Sequence, residues 1–212
     1  MISDLMEMKF YGLLNRLREK INPLTARLGI KLASLGLSPT FWSNVGLVMA
    51  IASALSFGLS YQLAGIVLLS PVVIGSIFLL ISGFFDIIDG SVARATNKST
   101  AKGSFIDSTY DKLAEIIVFI GISVGGLANP VICLIAISMS MMVSYSRAKA
   151  ESLGIDLKGI GLGERAERLL VIAVMGLIPI PNSIEIGTII VAILSSFTFI
   201  QRLHYTLKKL KN

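Results

Sequence analysis

The placement of positive charge constrains this chain more than any other feature. All 19 Lys and Arg fall in four blocks, at 9–31, 94–112, 147–168 and 202–211. None lies in 32–93, 113–146 or 169–201. If each of those gaps is a helical hairpin, all four basic blocks emerge on one face of a membrane. Lys and Arg mark cytoplasmic loops, so both termini are expected on the cytoplasmic side. Three hairpins make six spans.

Composition agrees with that reading. Of 212 residues, 54% are hydrophobic and only 15% charged, with a mean hydropathy of +0.79. A soluble domain carries about a quarter charged residues. Apolar runs near the roughly 20 residues that a helix needs to cross a bilayer occur at about 41–60, 62–85, 113–128, 130–146, 169–182 and 184–201. The third and fifth are short and must borrow from their flanks. The expected fold class is an all-α integral membrane protein, one domain over 1–212 with six transmembrane helices. The expected localisation is the plasma membrane, crossed several times.

Residues 1–35 form an N-terminal segment of different character. Leu5, Phe10, Leu13, Leu14 and Leu17 recur at roughly helical spacing among charged residues. This predicts an amphipathic interfacial helix, or a helix packed on the cytoplasmic side of the bundle. No short apolar core followed by a small-residue cleavage site is present. Cys133 is the only cysteine, so no intramolecular disulfide forms. A net charge of +6 in a soluble chain would suggest nucleic acid; here anionic lipid headgroups are the simpler partner.

One stretch breaks the apolar pattern: DIIDGSVARATNKSTAKGSFIDSTYD, Asp86 to Asp111. Asp86 and Asp89 are three apart at the end of an apolar run, and Asp107 and Asp111 are four apart at the start of the next. On a helix either spacing puts both carboxylates on one face. Residues Ser91 to Ser104 are polar and short enough for a tight connection, so two antiparallel helices can point four carboxylates at one another. Such a cluster is costly near hydrocarbon and makes sense if cations occupy it. All-oxygen ligands suit Mg²⁺ or Mn²⁺, and two ions about 4 Å apart suit phosphoryl transfer. Gly90 and Gly103 leave room for a ligand to approach backbone, and Arg94 can meet phosphate. The plainer alternative has these aspartates capping helix ends and pairing with Arg94, Lys98, Lys102 and Lys112.

The stretch fits D-x2-D-G-x2-A-R-x8-G-x3-D-x3-D at every specified position: Asp86, Asp89, Gly90, Ala93, Arg94, Gly103, Asp107 and Asp111. In this it resembles the CDP-alcohol phosphotransferases. The resemblance implies a membrane enzyme that moves a CDP-linked phosphatidyl group onto an alcohol and releases CMP. By the same resemblance, Asp86, Asp89, Asp107 and Asp111 are metal ligands. Asp111 is also the general base for the acceptor hydroxyl. Asp89, Gly90, Ala93, Arg94, Gly103 and Asp107 are the CDP contacts. A homodimer is likewise implied. Upstream, LSPTFWSN is similar to the family's Leu-Thr-Pro-Asn-x-x-Thr entry to the first span at Pro39 and Ser43, with Thr40 where Asn is common.

The acceptor is specified elsewhere. SYSRAKAESLG and GERAERLL place Arg147, Lys149, Arg165 and Arg168 at span borders, and Arg202 ends the last span. Positive charges there commonly serve as topology signals and snorkelling anchors, as Lys208, Lys209 and Lys211 do. Several from three helices can instead converge on an anionic acceptor. The pattern S-Y-x-[KR]-A-[KR]-A-E followed by E-R-x-E-R resembles the branch that makes phosphatidylinositol phosphate or its archaeal ether-lipid counterpart. That resemblance implies inositol phosphate as the acceptor, with Arg147, Arg168 and Arg202 as its contacts and Arg165 and Lys149 next. Ala166 stands where Pro is common, and Thr206 where a second Arg would strengthen the pocket. Glycerol 3-phosphate or serine is the rival acceptor, and a cation transporter is the rival class, since intramembrane carboxylates mark ion pathways. Against the transporter, the aspartates sit at one border rather than at the midplane.

Overall fold

The structure is a computed structural model and describes residues 25, 27–63, 70–96, 100–157 and 159–210. Six long helices carry the fold: α1 (Pro39–Gly58), α2 (Pro71–Ala95), α3 (Ala101–Val124), α4 (Pro130–Ser152), α5 (Arg165–Leu177) and α6 (Ser183–Leu210). Residues 27–33 are also helical, and a single turn, Ser60–Leu63, follows α1. No strand occurs among the described residues. The interfacial helix expected around Leu5 to Leu17 lies outside the described residues.

The starts follow capping chemistry that is written in the sequence. Pro39, Pro71 and Pro130 open α1, α2 and α4, where a missing N–H costs nothing. Ser38 Oγ accepts from Phe41 N–H (3.2 Å), Thr100 Oγ1 from Gly103 N–H (3.0 Å) and Asn129 Oδ1 from Val131 N–H (2.8 Å). Glu164 and Glu167 form a reciprocal capping box at α5, holding donors that would otherwise be unpaired.

Every helix bordering the basic end runs beyond its apolar stretch. α2 continues through Asp86 and Asp89 to Ala95, and α3 already begins at Ala101. The connector is therefore 96–100, shorter than the Ser91–Ser104 expected, because hydropathy stops at a charge and helical backbone does not. At its other end α2 begins at Pro71 rather than near 62, since a proline inside the helix would break its hydrogen bonding.

α1 packs on α2 and α3, α2 on α5, α3 on α4, and α6 on α4 and α5. Phe57, Leu79, Phe119, Ile122, Ile172 and Val191 are fully buried in the shared core. Gly121 lets α3 approach α1 closely, for a Cβ there would overlap the backbone of Ala54. Outside, Ile51, Val124, Leu134 and Ile193 are exposed, an apolar surface that suits acyl chains rather than water. Among the described residues four helices, α1, α2, α4 and α6, are long and apolar enough to cross a membrane. α3 is long but charged along its first half. α5 has 13 residues, about 20 Å at 1.5 Å per residue, short of a hydrocarbon core of about 30 Å.

Polar contacts fix the ends of the bundle. Ser56 Oγ donates to Pro71 O (2.7 Å), Ser60 Oγ to Gly125 O (3.3 Å) and Asn129 N–H to Glu185 Oε1 (3.2 Å). These gather the end of α1, the start of α2, the end of α3 and the starts of α4 and α6. The opposite end therefore collects Ser43, Asp86 to Arg94, Ala101 to Lys112, Arg147, Arg165 and Arg202.

Candidate active site

At that end the helices bring the acidic residues together. Asp86 on α2 and Asp107 and Asp111 on α3 each offer an oxygen, all within 4.8 Å of one another. Asp89 is one turn along α2 from Asp86 and lines the same small hollow, but it lies outside that trio. It is 5% exposed, and Ser43 Oγ donates to its Oδ2 at 2.6 Å. Arg165 enters from the start of α5, its Nη1 lying 2.8 Å from Asp86 Oδ1 and 2.7 Å from Asp111 Oδ1. The guanidinium offsets part of the repulsion among the carboxylates. A hard divalent cation fits the donor set, which is all oxygen and drawn from two rigid helices.

A larger cavity of about 530 Å³ opens beside this cluster. Asp86, Gly90, Arg94, Asp111, Arg147, Arg165, Arg168 and Arg202 line it. Acidic and basic candidates, read as separate constellations in the sequence, thus share one chamber. Lys149, Ala93 and Gly103 are not part of its wall. Lys149 is exposed, and Gly103 serves the α3 cap.

The arginines differ in how they are held. Arg147 pairs with Glu151 one turn on at 2.8 Å, both partly exposed. Arg202 is 2% exposed; its Nε donates to Ile160 O and its Nη1 to Val143 O, both at 2.9 Å. Arg168 is 1% exposed and clasps Glu115 through Nε (2.6 Å) and Nη2 (2.8 Å), while Nη1 donates to Gly163 O at 2.6 Å. The 159–164 turn is thus tied down from two helices. Gly161 sits in it at φ +112°, where a Cβ would also strike Thr198.

Three participants were weak or unassigned in the sequence. Ser43 is visible only as a loose match in PTFWSN. Glu164, which lines the cavity with Oε1 3.9 Å from Arg202 Nη2, is visible only as a helix cap. Glu115 stands out as an acid in an apolar run four residues after Asp111, and such a group calls for a buried partner. Ser43→Ala should leave the fold intact and remove a charge-assisted hydrogen bond of about 1.5–3 kcal/mol. If Asp89 contacts a CDP-linked donor, as the resemblance implies, the Michaelis constant for that donor should rise about tenfold or more in steady-state kinetics; an unchanged constant would show that Asp89 needs no such support.

Comparison with known proteins agrees with the geometry. The chain is 36% identical to the archaetidylinositol phosphate synthase of Pyrococcus horikoshii over 199 residues, covering 94% of this chain and 99% of that one. It is 43% identical over 140 residues to the enzyme of the same name from Methanothermobacter thermautotrophicus, covering 65% and 71% of the two chains. Among solved structures, the phosphatidylinositol phosphate synthase of Mycobacterium tuberculosis with CDP-DAG bound superimposes with a TM-score of 0.73 at 26% identity, over 87% of this chain and 94% of that one. The same enzyme in complex with manganese and citrate gives a TM-score of 0.71. Residues 40–200 match the CDP-alcohol phosphatidyltransferases, and the chain belongs to that family.

Proposed function

We propose that this chain transfers the phosphatidyl or archaetidyl group of a CDP-linked lipid to a hydroxyl of inositol phosphate, releasing CMP. The observation that carries the reading is the shared chamber, in which a three-aspartate cluster opens into the same cavity as Arg147, Arg168 and Arg202. One side suits a diphosphate held through cations. The other suits the phosphate of an anionic acceptor.

Asp86, Asp107 and Asp111, with Asp89 beside them, are the residues to hold Mg²⁺ or Mn²⁺, two ions in the fullest arrangement. Bound there, the metal would stabilise charge on the phosphorus oxygens of the donor. Gly90 and Arg94 face the nucleotide. Asp111 accepts the proton of the acceptor hydroxyl as that oxygen bonds to the lipid-linked phosphorus, and the bond from phosphorus to the CMP oxygen breaks. We read the transfer as a direct displacement, with no covalent intermediate on Ser108, Ser144 or a carboxylate of the lining. Arg147 meets the acceptor's phosphate, joined by Arg202 through Nη2, the nitrogen not spent on Ile160 O and Val143 O, and Arg165 stands between the phosphate and the aspartates. Arg168 adds charge at the cavity floor while its N–H groups stay on Glu115 and Gly163.

In this reading the site faces the cytoplasm from the plasma membrane, as the placement of Lys and Arg implies. α3, and α5 together with the segments that flank it, complete six spans, and the N-terminal segment lies at the interface. The protein works as a homodimer.

Membranes containing the protein, incubated with a CDP-linked lipid and each labelled acceptor in turn, test the reading. CMP release is expected with inositol phosphate. Release only with glycerol 3-phosphate or serine would overturn the acceptor; ion flux in liposomes with no CMP release would overturn the reaction. Arg147→Ala should raise the Michaelis constant for the acceptor by about tenfold, the loss of one charge-assisted contact. The constant for the donor lipid should stay within about twofold, since no uniform donor contact is lost. Equal effects on both substrates would remove Arg147 from the acceptor side.

A further inference from the structure

Glu115 has no part in the chemistry so far, yet it is 0% exposed and carries a formal charge inside the bundle. It follows Asp107 and Asp111 along α3 at four-residue steps, so the three acids stand on one helix face. Arg165 and Arg168 stand three apart on α5 and face them. Two rungs join the helices. The rung nearer the chamber is Arg165 on Asp111, at 2.7 Å. The deeper one is Arg168 on Glu115, bidentate at 2.6 and 2.8 Å. A buried ionic pair is a poor device for merely fastening two helices, since apolar side chains of similar size serve as well or better. A planar fork closed on a carboxylate does something else: it sets the height and rotation of one helix on the other.

The chamber rung needs such support. The closest contacts of Arg165 with Asp86 and Asp111 both run through Nη1, and its buried Nε finds no hydrogen-bond partner among the described residues. Its aim is therefore set by where α5 begins. That start is fixed by Arg168, which holds Glu115 on one side and Gly163 O on the other. Glu115 itself does not line the cavity, so it can act only through Arg168.

We propose that Glu115 is a positioning residue: through Arg168 it holds Arg165 on Asp86 and Asp111. The inference rests on the aspartate cluster being the metal site of the reaction proposed above. A cation held on two of the three carboxylates competes with a metal ion, so loosening Arg165 should tighten metal binding while turnover falls. Simple structural damage would weaken both.

The test compares Glu115→Asp, Arg165→Gln and the double variant, using Mn²⁺ binding by electron paramagnetic resonance and CMP release at saturating Mn²⁺. Glu115→Asp keeps the charge and withdraws it by one methylene. It should bind Mn²⁺ at least about threefold more tightly and turn over about tenfold more slowly, through relief of the charge competition. Arg165→Gln should do the same, and the double variant should add little to either, as expected for residues acting in series. Unchanged or weaker Mn²⁺ binding in Glu115→Asp, or fully additive losses, would overturn the proposal. If Glu115→Asp does not fold, Glu115→Met with Arg168→Met removes both charges; parental turnover and Mn²⁺ affinity there would overturn it, as would failure of both variants to fold. A parent chain that binds Mn²⁺ but releases no CMP with any acceptor would sink the proposed reaction, and the Mn²⁺ arm would still decide on Glu115.

Discussion

Asp111→Asn should cut CMP release by about 10²–10⁴-fold, the range that a positioned general base supplies. The substitution keeps the side chain's size, so α3 and its contacts with α1 should persist. What changes is chemical: an amide cannot take the acceptor's proton at neutral pH, and the oxygen trio with Asp86 and Asp107 loses one carboxylate. Arg165 also loses one of its two ion-pair partners. The reading as base predicts a particular split. Turnover should fall steeply, while binding of the CDP-linked lipid, read with a labelled donor, should change by no more than a few-fold because the Gly90 and Arg94 side of the chamber is untouched. Near-parental turnover would remove Asp111 as the base. A loss confined to donor binding would reassign it to holding metal alone.

How much of this could be read from the chain alone depended on whether the signal was local. The all-helical class, the apolar exterior and the gathering of basic blocks at one end follow from hydropathy and charge placement, and the polar contacts at Ser56, Ser60 and Asn129 agree. The meeting of Asp86 with Asp107 and Asp111 was legible for the same reason, since three- and four-residue spacings on adjacent antiparallel helices leave few alternatives. Pairings distant in sequence were not legible. Ser43 lies 46 residues from Asp89, and Arg168 lies 53 from Glu115. Nothing in either local pattern names its partner. The arginines show the limit most clearly. Arg147 and Arg202 were read alike as border cations, yet one is half-exposed beside Glu151 and the other is sealed against two carbonyl oxygens. Lys149 shares their sequence context but is exposed, because it lies two residues beyond Arg147 on α4, about 200° around the helix at 3.6 residues per turn. Helix ends are hidden for a related reason: charge marks where hydrocarbon stops, and α2 and α3 extend past it by about three turns.

Asp86→Asn should produce the second large effect, and a different one. Asp86 belongs to the oxygen trio, takes one of Arg165's two ion pairs and lines both the small hollow and the large chamber. Removing its charge weakens the cation site at its most connected point. Loss of a residue that merely orients a ligand costs about 10–100-fold in metal affinity, so the loss of a ligand should cost on the order of 100-fold or more. CMP release at low Mn²⁺ should vanish and return in part as Mn²⁺ is raised, with donor affinity falling in parallel, because the diphosphate is held through the same charges. Asp111→Asn should not be rescued in that way, for added metal does not restore a proton acceptor. The two aspartates face each other across α2 and α3 and share one arginine, so a structure-wide disturbance would make the variants alike. Separation by metal rescue is what distinct roles require. A parental Mn²⁺ midpoint in Asp86→Asn would exclude Asp86 as a ligand and leave it as the counter-charge for Arg165.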